Sequence, residues 1–290
     1  MKKAFLLVYL SILPFILHAQ SGTVYDDLTI SSDILSTDMK YAIYLPAGYD
    51  TSERSYPVLY LLHGGGDDQK AWIQFGEVHA IADKAIQEGK STAMIIVMPD
   101  ASGERRGYTN DPLGEWRYED YFFEEFMPFV EQKYRIRGEE RYRAVAGLSM
   151  GGGGTYFYAL HHPELFSSAC PLSASARSDR YTPQSFNESR REQNLPEVPV
   201  DRLTEWSKRY DVLGMIENMP EENIDAVRWY IDAGDDDARA SEGSAAVHVA
   251  MNKKGIPHEF RVRDGAHNWT YWRTALPEVL DFVSKRFSKK

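Results

Sequence analysis

The sequence predicts an α/β fold built on a mostly parallel sheet with helices on both faces. Continuous apolar runs such as Val58 to Leu62 are typical of strands buried on both faces. These runs alternate with segments of helical periodicity such as Val78 to Gln87, the order that produces right-handed βαβ units. No repeat or Pro/Ser-rich linker divides the chain, so we expect one domain over residues 20–290.

The first 19 residues have the pattern of a signal peptide. Lys2 and Lys3 precede an apolar segment from Ala4 to Leu17, and a small residue, Ala19, precedes a suitable cleavage point at Gln20. The apolar segment is shorter than the ~20 residues that span a bilayer. Cleavage is therefore favoured over membrane anchoring, and we expect a periplasmic or extracellular protein.

The composition limits the partners of the chain. It has 33 basic and 43 acidic side chains, for a formal net charge of −10, which does not favour binding to nucleic acid or to an anionic membrane. Cys170 is the single cysteine, so no intramolecular disulfide can form and a buried thiol is expected. The 18 Tyr, 13 Phe and 6 Trp exceed the needs of a minimal core, so some should line a binding surface.

The N-terminal part predicts one edge of the sheet and a glycine loop. Residues Thr29 to Leu45 alternate in the manner of paired antiparallel strands at an edge. The strand Val58 to Leu62 then ends at His63-Gly64-Gly65-Gly66, where side-chain-free backbone can turn an N–H into a site. An ordinary glycine turn is the alternative. His63 is predicted to be structural, because it precedes the serine described below.

The rest of the chain continues the alternation of strands and helices. Further strands are predicted at Ala93–Met98, Ala169–Leu172, Val227–Ile231 and Glu259–Val262, and helices at Tyr118–Tyr134, Arg202–Met219 and Ser244–Lys254.

Two irregular stretches stand near the carboxyl ends of predicted strands. The loop over residues 99–111, followed by Trp116, leaves a strand at the edge where ligands bind in open α/β sheets. Tyr108, Asn110 and Trp116 are therefore candidates to contact a sugar or aromatic group, although a surface loop with scattered aromatics fits the same residues. Residues Ser173 to Leu203 are too long for a simple connection, so they form either a lid or a mobile excursion.

Ser149 is the candidate nucleophile. It lies in the stretch YRAVAGLSMGGGG, between a strand-type run and a helical segment, and Gly147 and Gly151 complete the pattern G-x-S-x-G. The glycines permit close backbone approach. The amides that open the helix, starting with Met150, point toward any oxyanion formed beside the serine. A serine in a flexible glycine turn is the alternative, which the flanking strand and helix disfavour.

His267 is the candidate base, because it follows the last predicted strand in a glycine-containing turn. The order serine, acid, histidine is the order that this kind of fold uses. The residues alone leave the acid open, and the spacing of a calcium loop is absent, so no metal site is predicted. The acidic candidates crowd one turn after a late strand: Asp232, Asp235, Asp236 and Asp237.

The chain resembles the putative-esterase branch of the α/β-hydrolases, which includes the feruloyl and acetyl-xylan esterases of carbohydrate esterase family one, with esterase D and the mycolyltransferases as more distant relatives. The matching stretches are YAIYLPAGYD, YPVLYLLHGGG, AMIIVMPDA, AGLSMGGGGT, YIDAGDDD and KKGIPHEFRVRDGAHNWTYW, with the closing helix. The resemblance implies the α/β-hydrolase fold. It also implies that the acid is the last residue of AGDDD, Asp237, and that Gly65 and Met150 are the oxyanion donors.

The predicted mechanism is a two-step ester hydrolysis. Ser149 attacks the ester carbonyl, His267 takes its proton, and Asp237 orients the imidazole. Water then releases the acyl group. These groups suffice for ester cleavage, so no metal or organic cofactor is expected.

The predicted substrate is an acylated plant polysaccharide, with feruloyl or acetyl groups on xylan. Export and the aromatic content favour it, and Tyr108, Asn110, Trp116 and Trp272 are the candidate substrate-binding residues. Family members with nearly identical motifs act on siderophore esters or transfer acyl groups, so both are alternatives. A carbohydrate-binding module on a hydrolase scaffold that has lost its activity is the alternative outside catalysis.

Overall fold

The computed structural model describes residues 21–102, 107–174, 176, 183–192 and 194–288. The predicted signal peptide, residues 1–19, lies outside the described residues. Within the described ranges, no helix combines the length and the apolar character needed to cross a bilayer.

The core of the fold is a mixed sheet of eight strands in the order β1-β2-β4-β3-β5-β6-β7-β8. The first two strands pair antiparallel, β2 pairs antiparallel with β4, and the remaining neighbours are parallel. The predicted antiparallel edge is thus confirmed. The strands are β1 Thr23–Ser32, β2 Thr37–Leu45, β3 Val58–Leu62, β4 Ile95–Pro99, β5 Arg143–Leu148, β6 Ser168–Leu172, β7 Arg228–Gly234 and β8 His258–Arg263.

Helices cover both faces of this sheet and enclose two apolar clusters. One cluster contains Trp72, Val78 and Leu276, and the other contains Phe122, Tyr158 and many further residues. All residues of β3, β4 and β6 are buried, which explains their continuous apolar sequence. The helices are α1 Ala71–Gln74, α2 Val78–Gln87, α3 Tyr118–Asp120, α4 Met127–Lys133, α5 Met150–His161, α6 Pro183–Glu192, α7 Val200–Arg209, α8 Val212–Glu217, α9 Ala238–Lys254 and α10 Trp269–Phe287.

The predicted helix Tyr118–Tyr134 is interrupted by a π-helical turn at Tyr121–Phe126. The amide of Met127 donates to the carbonyl of Phe122, five residues earlier. Pro128 has no N–H and cannot continue the α-helical bonding, so the wider turn precedes it.

The stretch predicted as irregular, Ser173 to Leu203, contains α6 and the start of α7. Asn187 of α6 closes the segment on itself, because its side-chain amide donates to the carbonyl of Val198 and its oxygen accepts from the Val198 amide, both at 2.9 Å. These paired hydrogen bonds hold the turn after α6 against the helix.

The chain changes direction across the sheet between β3 and β5. From β3 it proceeds to β4 on one side and, after returning, to β5 on the other. In open α/β sheets the crevice at such a switch point is where ligands bind. The loop His63–Gly66 follows β3 and Ser149 follows β5, so the predicted nucleophile and glycine loop lie together at this crevice.

Candidate active site

Ser149 sits on a strained turn between β5 and α5, with φ 53° and ψ −112°. Positive φ is unfavourable for a residue with a Cβ, and such strain persists only where the surroundings enforce it. A Cβ on Gly147 would lie 2.6 Å from the Gly151 carbonyl carbon, and one on Gly151 would lie 2.6 Å from the His63 carbonyl oxygen. Both glycines are therefore required by close backbone approach.

The structure brings Ser149, His267 and Asp237 into one chain of hydrogen bonds. The Nε2 of His267 lies 2.9 Å from Ser149 Oγ, and its Nδ1 lies 2.5 Å from Asp237 Oδ2. An ionised carboxylate only accepts, so the proton of the neutral ring is on Nδ1 and Nε2 is free to accept the serine proton. The Asp237 side chain is 7% exposed and the His267 side chain 44%, so the base is accessible while the acid is buried.

The four neighbouring acids have distinct contacts, and among them only Asp237 contacts the imidazole of His267. Asp237 is the N-cap of α9, where its Oδ1 accepts from the Ala240 amide at 3.2 Å. Asp235 and Asp236 hold the histidine loop through Gly265: Asp235 Oδ1 accepts from its amide, and the Asp236 amide donates to its carbonyl.

Asp232 is fully buried within β7, and its carboxylate is occupied by structural partners. Arg263 donates to both oxygens, at 2.9 and 3.1 Å. Tyr230 and Tyr271 donate their hydroxyls to the same carboxylate. This buried ion pair joins the last two strands to α10 and so supports the loop that carries His267.

Gly65 and Met150 are adjacent across the crevice, since a Cβ on Gly65 would lie 3.9 Å from Met150 Cβ. In the part of the chain that the structure describes, neither backbone amide donates a hydrogen bond to another residue. Two uncommitted amides next to the serine are what an oxyanion hole requires.

His63 is a buried structural residue, as predicted. Its Nε2 accepts from the Ala101 amide at 2.9 Å, so its Nδ1 carries the proton and donates to the carbonyl of Gly64, also at 2.9 Å. The Tyr108 hydroxyl accepts from the His63 amide at 2.8 Å and donates to its carbonyl at 3.2 Å. The loop that carries Gly65 is therefore fixed by the backbone amide of Ala101 and the hydroxyl of Tyr108.

A cavity of about 930 Å³ opens beside Ser149 and His267. Its volume is in the range of small-molecule sites. Helices α5, α6 and α7 supply much of its wall. The aromatic and aliphatic residues of the wall include Trp116, Phe157, Phe186, Leu195, Trp206 and Tyr210.

Two of the four predicted substrate-binding residues line the cavity. Trp116 lines the cavity. Tyr108 also borders it, but it is 2% exposed and its hydroxyl is bound to the His63 backbone. Asn110 pairs with Asp120, its Nδ2 donating at 2.7 Å, and does not line the cavity. Its backbone carbonyl accepts from the Trp206 indole.

Trp272 packs against His267 and does not line the cavity. It is 5% exposed, its Nε1 donates to Ser173 Oγ at 3.0 Å, and its ring packs edge-on against that of His267 at 5.0 Å. The prediction that Trp272 binds substrate is therefore corrected. The wall residues Phe157 and Trp206 were not predicted, because their helical spacing shows a buried face without showing what it faces.

The buried carboxylate of Glu119 accepts a hydrogen bond from a residue of the cavity wall, Tyr210. It is 1% exposed, and it accepts from the Tyr210 hydroxyl and contacts His161 Nδ1, both at 2.6 Å. Burial raises the pKa of Glu119, but the hydrogen bond and charge of His161, together with Tyr210 and Arg209, outweigh it, so the pKa lies below its usual value. Glu119 thus links the wall residue Tyr210 to His161 at the end of α5.

A serine on a strand-to-helix elbow, an acid after a later strand and a histidine after the last strand form the arrangement of α/β-hydrolases. The sheet order and the hydrogen-bond distances place this chain in that class. The family follows from comparison with known proteins: the "Putative esterase" family model matches residues 32–283, so the chain belongs to this family.

Several relatives have been described. The chain is 34% identical over 251 residues to an endo-1,4-beta-xylanase/feruloyl esterase of Xylanibacter ruminicola, covering 84% of this chain and 29% of that protein. It is 30% identical over 250 residues to an esterase of Mycobacterium tuberculosis, covering 78% of this chain and 51% of that protein. The chain therefore spans about half or less of the length of these two relatives.

Solved structures share the fold. A ferulic acid esterase superposes with a TM-score of 0.79 at 33% identity, over 92% of this chain and 100% of that one. An S-formylglutathione hydrolase from Staphylococcus aureus superposes with a TM-score of 0.69 at 19% identity, over 91% of this chain and 99% of that one. The second likeness bears on the fold alone.

Proposed function

We propose that this protein is an exported serine esterase that removes hydroxycinnamoyl groups, such as ferulate, from plant polysaccharide. The observation that carries the proposal is the large, aromatic-lined cavity beside Ser149. A planar aromatic acyl group gains contact area and favourable ring geometry from such a wall. The feruloyl esterase activity named for the relative from Xylanibacter ruminicola supports the same acyl group.

The proposed reaction has two steps. His267 Nε2 takes the proton of Ser149 as the serine oxygen attacks the ester carbonyl, and the Gly65 and Met150 amides hold the oxyanion. Collapse of this intermediate expels the sugar alcohol, which takes the proton from His267, and leaves an acyl-enzyme. His267 then removes a proton from water, and the resulting attack releases the acid and regenerates the serine. Asp237 holds the imidazole and stabilises its protonated form throughout.

A small acyl group such as acetyl uses little of the cavity. An acetyl-xylan esterase would need only the space next to the serine, whereas the wall here extends to Phe186 and Leu195 of the α6 region. The cavity volume of about 930 Å³ therefore favours a hydroxycinnamoyl ester over an acetyl ester.

The proposal is tested with residues 20–290 of the protein, methyl ferulate and acetylated xylan. We expect release of ferulate at a higher kcat/KM than release of acetate, and a loss of at least about 10⁴-fold in Ser149→Ala. A fluorophosphonate probe should label the wild type and not the variant. Equal turnover by both proteins would remove Ser149 from the mechanism, and xylan binding without labelling would identify a binding module instead.

A further inference from the structure

The acidic and basic side chains of the cavity wall differ in the partners that they contact. Among the residues that the structure describes, two aspartates line the cavity, and the carboxylates of both accept hydrogen bonds. Asp237 contacts His267 and accepts from the Ala240 amide. Asp111 accepts from the backbone amides of Leu113, Glu115 and Trp116 at 2.8 to 3.1 Å. Among the described residues, neither carboxylate forms an ion pair with an arginine of the wall.

Two arginines line the same cavity, and no acidic residue in the described ranges forms an ion pair with either. Arg190 of α6 donates its Nε to the Pro196 carbonyl at 2.6 Å, which orients the guanidinium, and no described residue accepts from its terminal nitrogens. Arg239 is exposed and is the second residue of α9. A positive charge in the first turn of a helix is opposed by the helix dipole.

The position of Arg239 therefore has an electrostatic cost, and no ion pair with a described residue offsets it. The protein as a whole is acidic, with a net charge of −10, yet these two arginines, which form no ion pair with a described acid, line the cavity beside the nucleophile. A guanidinium binds a carboxylate with two parallel hydrogen bonds, and it does so more strongly in a partly desolvated cavity than on an open surface.

We propose that Arg239, assisted by Arg190, selects esters that carry a second, negatively charged group. The class we infer is a carboxylate-bearing aromatic ester, in which the aromatic wall takes the rings and a guanidinium takes the carboxylate. A cavity of about 930 Å³ has room for such a group beyond the bond that is cleaved. The inference rests on the proposed ester hydrolysis at Ser149.

The experiment uses matched ester pairs that differ in one charge, with residues 20–290 at neutral pH. The first pair is methyl para-methoxycinnamate and methyl para-carboxycinnamate, which places the charge on the acyl side. The second is ethyl ferulate and the ferulate ester of glycolate, which places it on the alcohol side. The ratio of variant to wild-type kcat/KM cancels the intrinsic reactivity of each ester, so only recognition of the charge is compared.

We expect Arg239→Gln to lower kcat/KM for the anionic ester of at least one pair about three- to fivefold more than for its neutral partner. Arg190→Gln should act in the same direction. The matched control is Arg261→Gln, which removes the same unit of charge from an exposed arginine on β8 that pairs with Glu259 at 2.7 Å and does not line the cavity. Its effect on both members of each pair should be equal.

Salt gives an independent readout. The wild-type preference for the anionic ester should weaken as ionic strength rises from about 0.01 M to about 1 M, where the Debye length falls from about 30 Å to about 3 Å. Equal effects of Arg239→Gln and Arg261→Gln, or a preference that salt leaves unchanged, would overturn the inference. Turnover of the neutral esters would then stand, whereas failure of the proposed function would abolish turnover of all four esters.

Discussion

His63 Nδ1 donates to the carbonyl oxygen of Gly64, 2.9 Å away, and that carbonyl belongs to the same peptide group as the Gly65 amide. A trans peptide is planar, so its C=O and N–H point in opposite directions. Holding the carbonyl therefore fixes the direction of the amide proposed to bind the oxyanion. His63 positions a donor without touching substrate.

We expect His63→Phe to lower kcat by roughly 10- to 100-fold, less than the 10²- to 10³-fold typical of losing an oxyanion donor outright. The ring volume is kept, while both side-chain hydrogen bonds are lost. KM should change little, because the amide matters most in the transition state. Steady-state kinetics with methyl ferulate, alongside thermal unfolding, measure the two effects. Reduced stability with wild-type kcat would show that His63 supports the fold alone.

Asp237→Asn should lower kcat by about 10⁴-fold, because the amide can donate to Nδ1 and so stabilise the wrong imidazole tautomer. Asp236→Asn is the control, since it is exposed, is the adjacent residue and does not contact His267. Its kcat should stay near that of the wild type. A comparable loss in both variants would mean that the charge of the loop, and not the contact with His267, is what the reaction requires.

Phe157→Ala should discriminate between acyl groups. Phe157 of α5 lines the cavity and packs edge-on against Tyr210, with ring centroids 5.1 Å apart. Removing the ring should raise KM for methyl ferulate about 5- to 10-fold. KM for an acetyl ester should change much less, because that group does not reach the ring. Equal increases for both esters would argue that the ring supports the site as a whole.

The stability of the protein should depend on the ionisation of Glu119. Its folded pKa lies below the ordinary value of 4.5, so its contribution to stability is present above pH 4.5 and is lost as pH falls through the folded pKa. We expect Glu119→Gln to lower the free energy of unfolding by roughly 1.5–3 kcal/mol at pH 7, with a smaller difference from wild type once the pH falls below the folded pKa. Urea unfolding of the variant and the wild type, at pH 7 and at acidic pH, measures this difference.

The exposed Glu124→Gln is the matched control for that measurement, and its difference from wild type should be small at every pH. A Glu119→Gln difference that is the same at both pH values would mean that packing, and not charge, accounts for the loss.

Much of the fold could be predicted because its signals are local. Strands buried on both faces need continuous apolar runs, and an elbow needs glycines where backbones touch, as at Gly147 and Gly151. The π-helical turn before Pro128 was not predicted, because apolar spacing fits an α-helix and a helix with one wider turn nearly as well. The helix α6 was missed because its polar composition carries no apolar periodicity.

The sequence by itself determined the class of fold, the serine elbow and the order of the acid and histidine candidates, since each depends on neighbours along the chain. The choice of Asp237 among four acids came from family resemblance, and the tertiary structure shows the reason: only its carboxylate reaches His267. Tertiary structure alone decided that Trp272 lies behind the imidazole and that Phe157 and Trp206 form the cavity wall. Which part of the molecule a side chain faces depends on how elements distant in sequence pack together, and local spacing does not specify that packing.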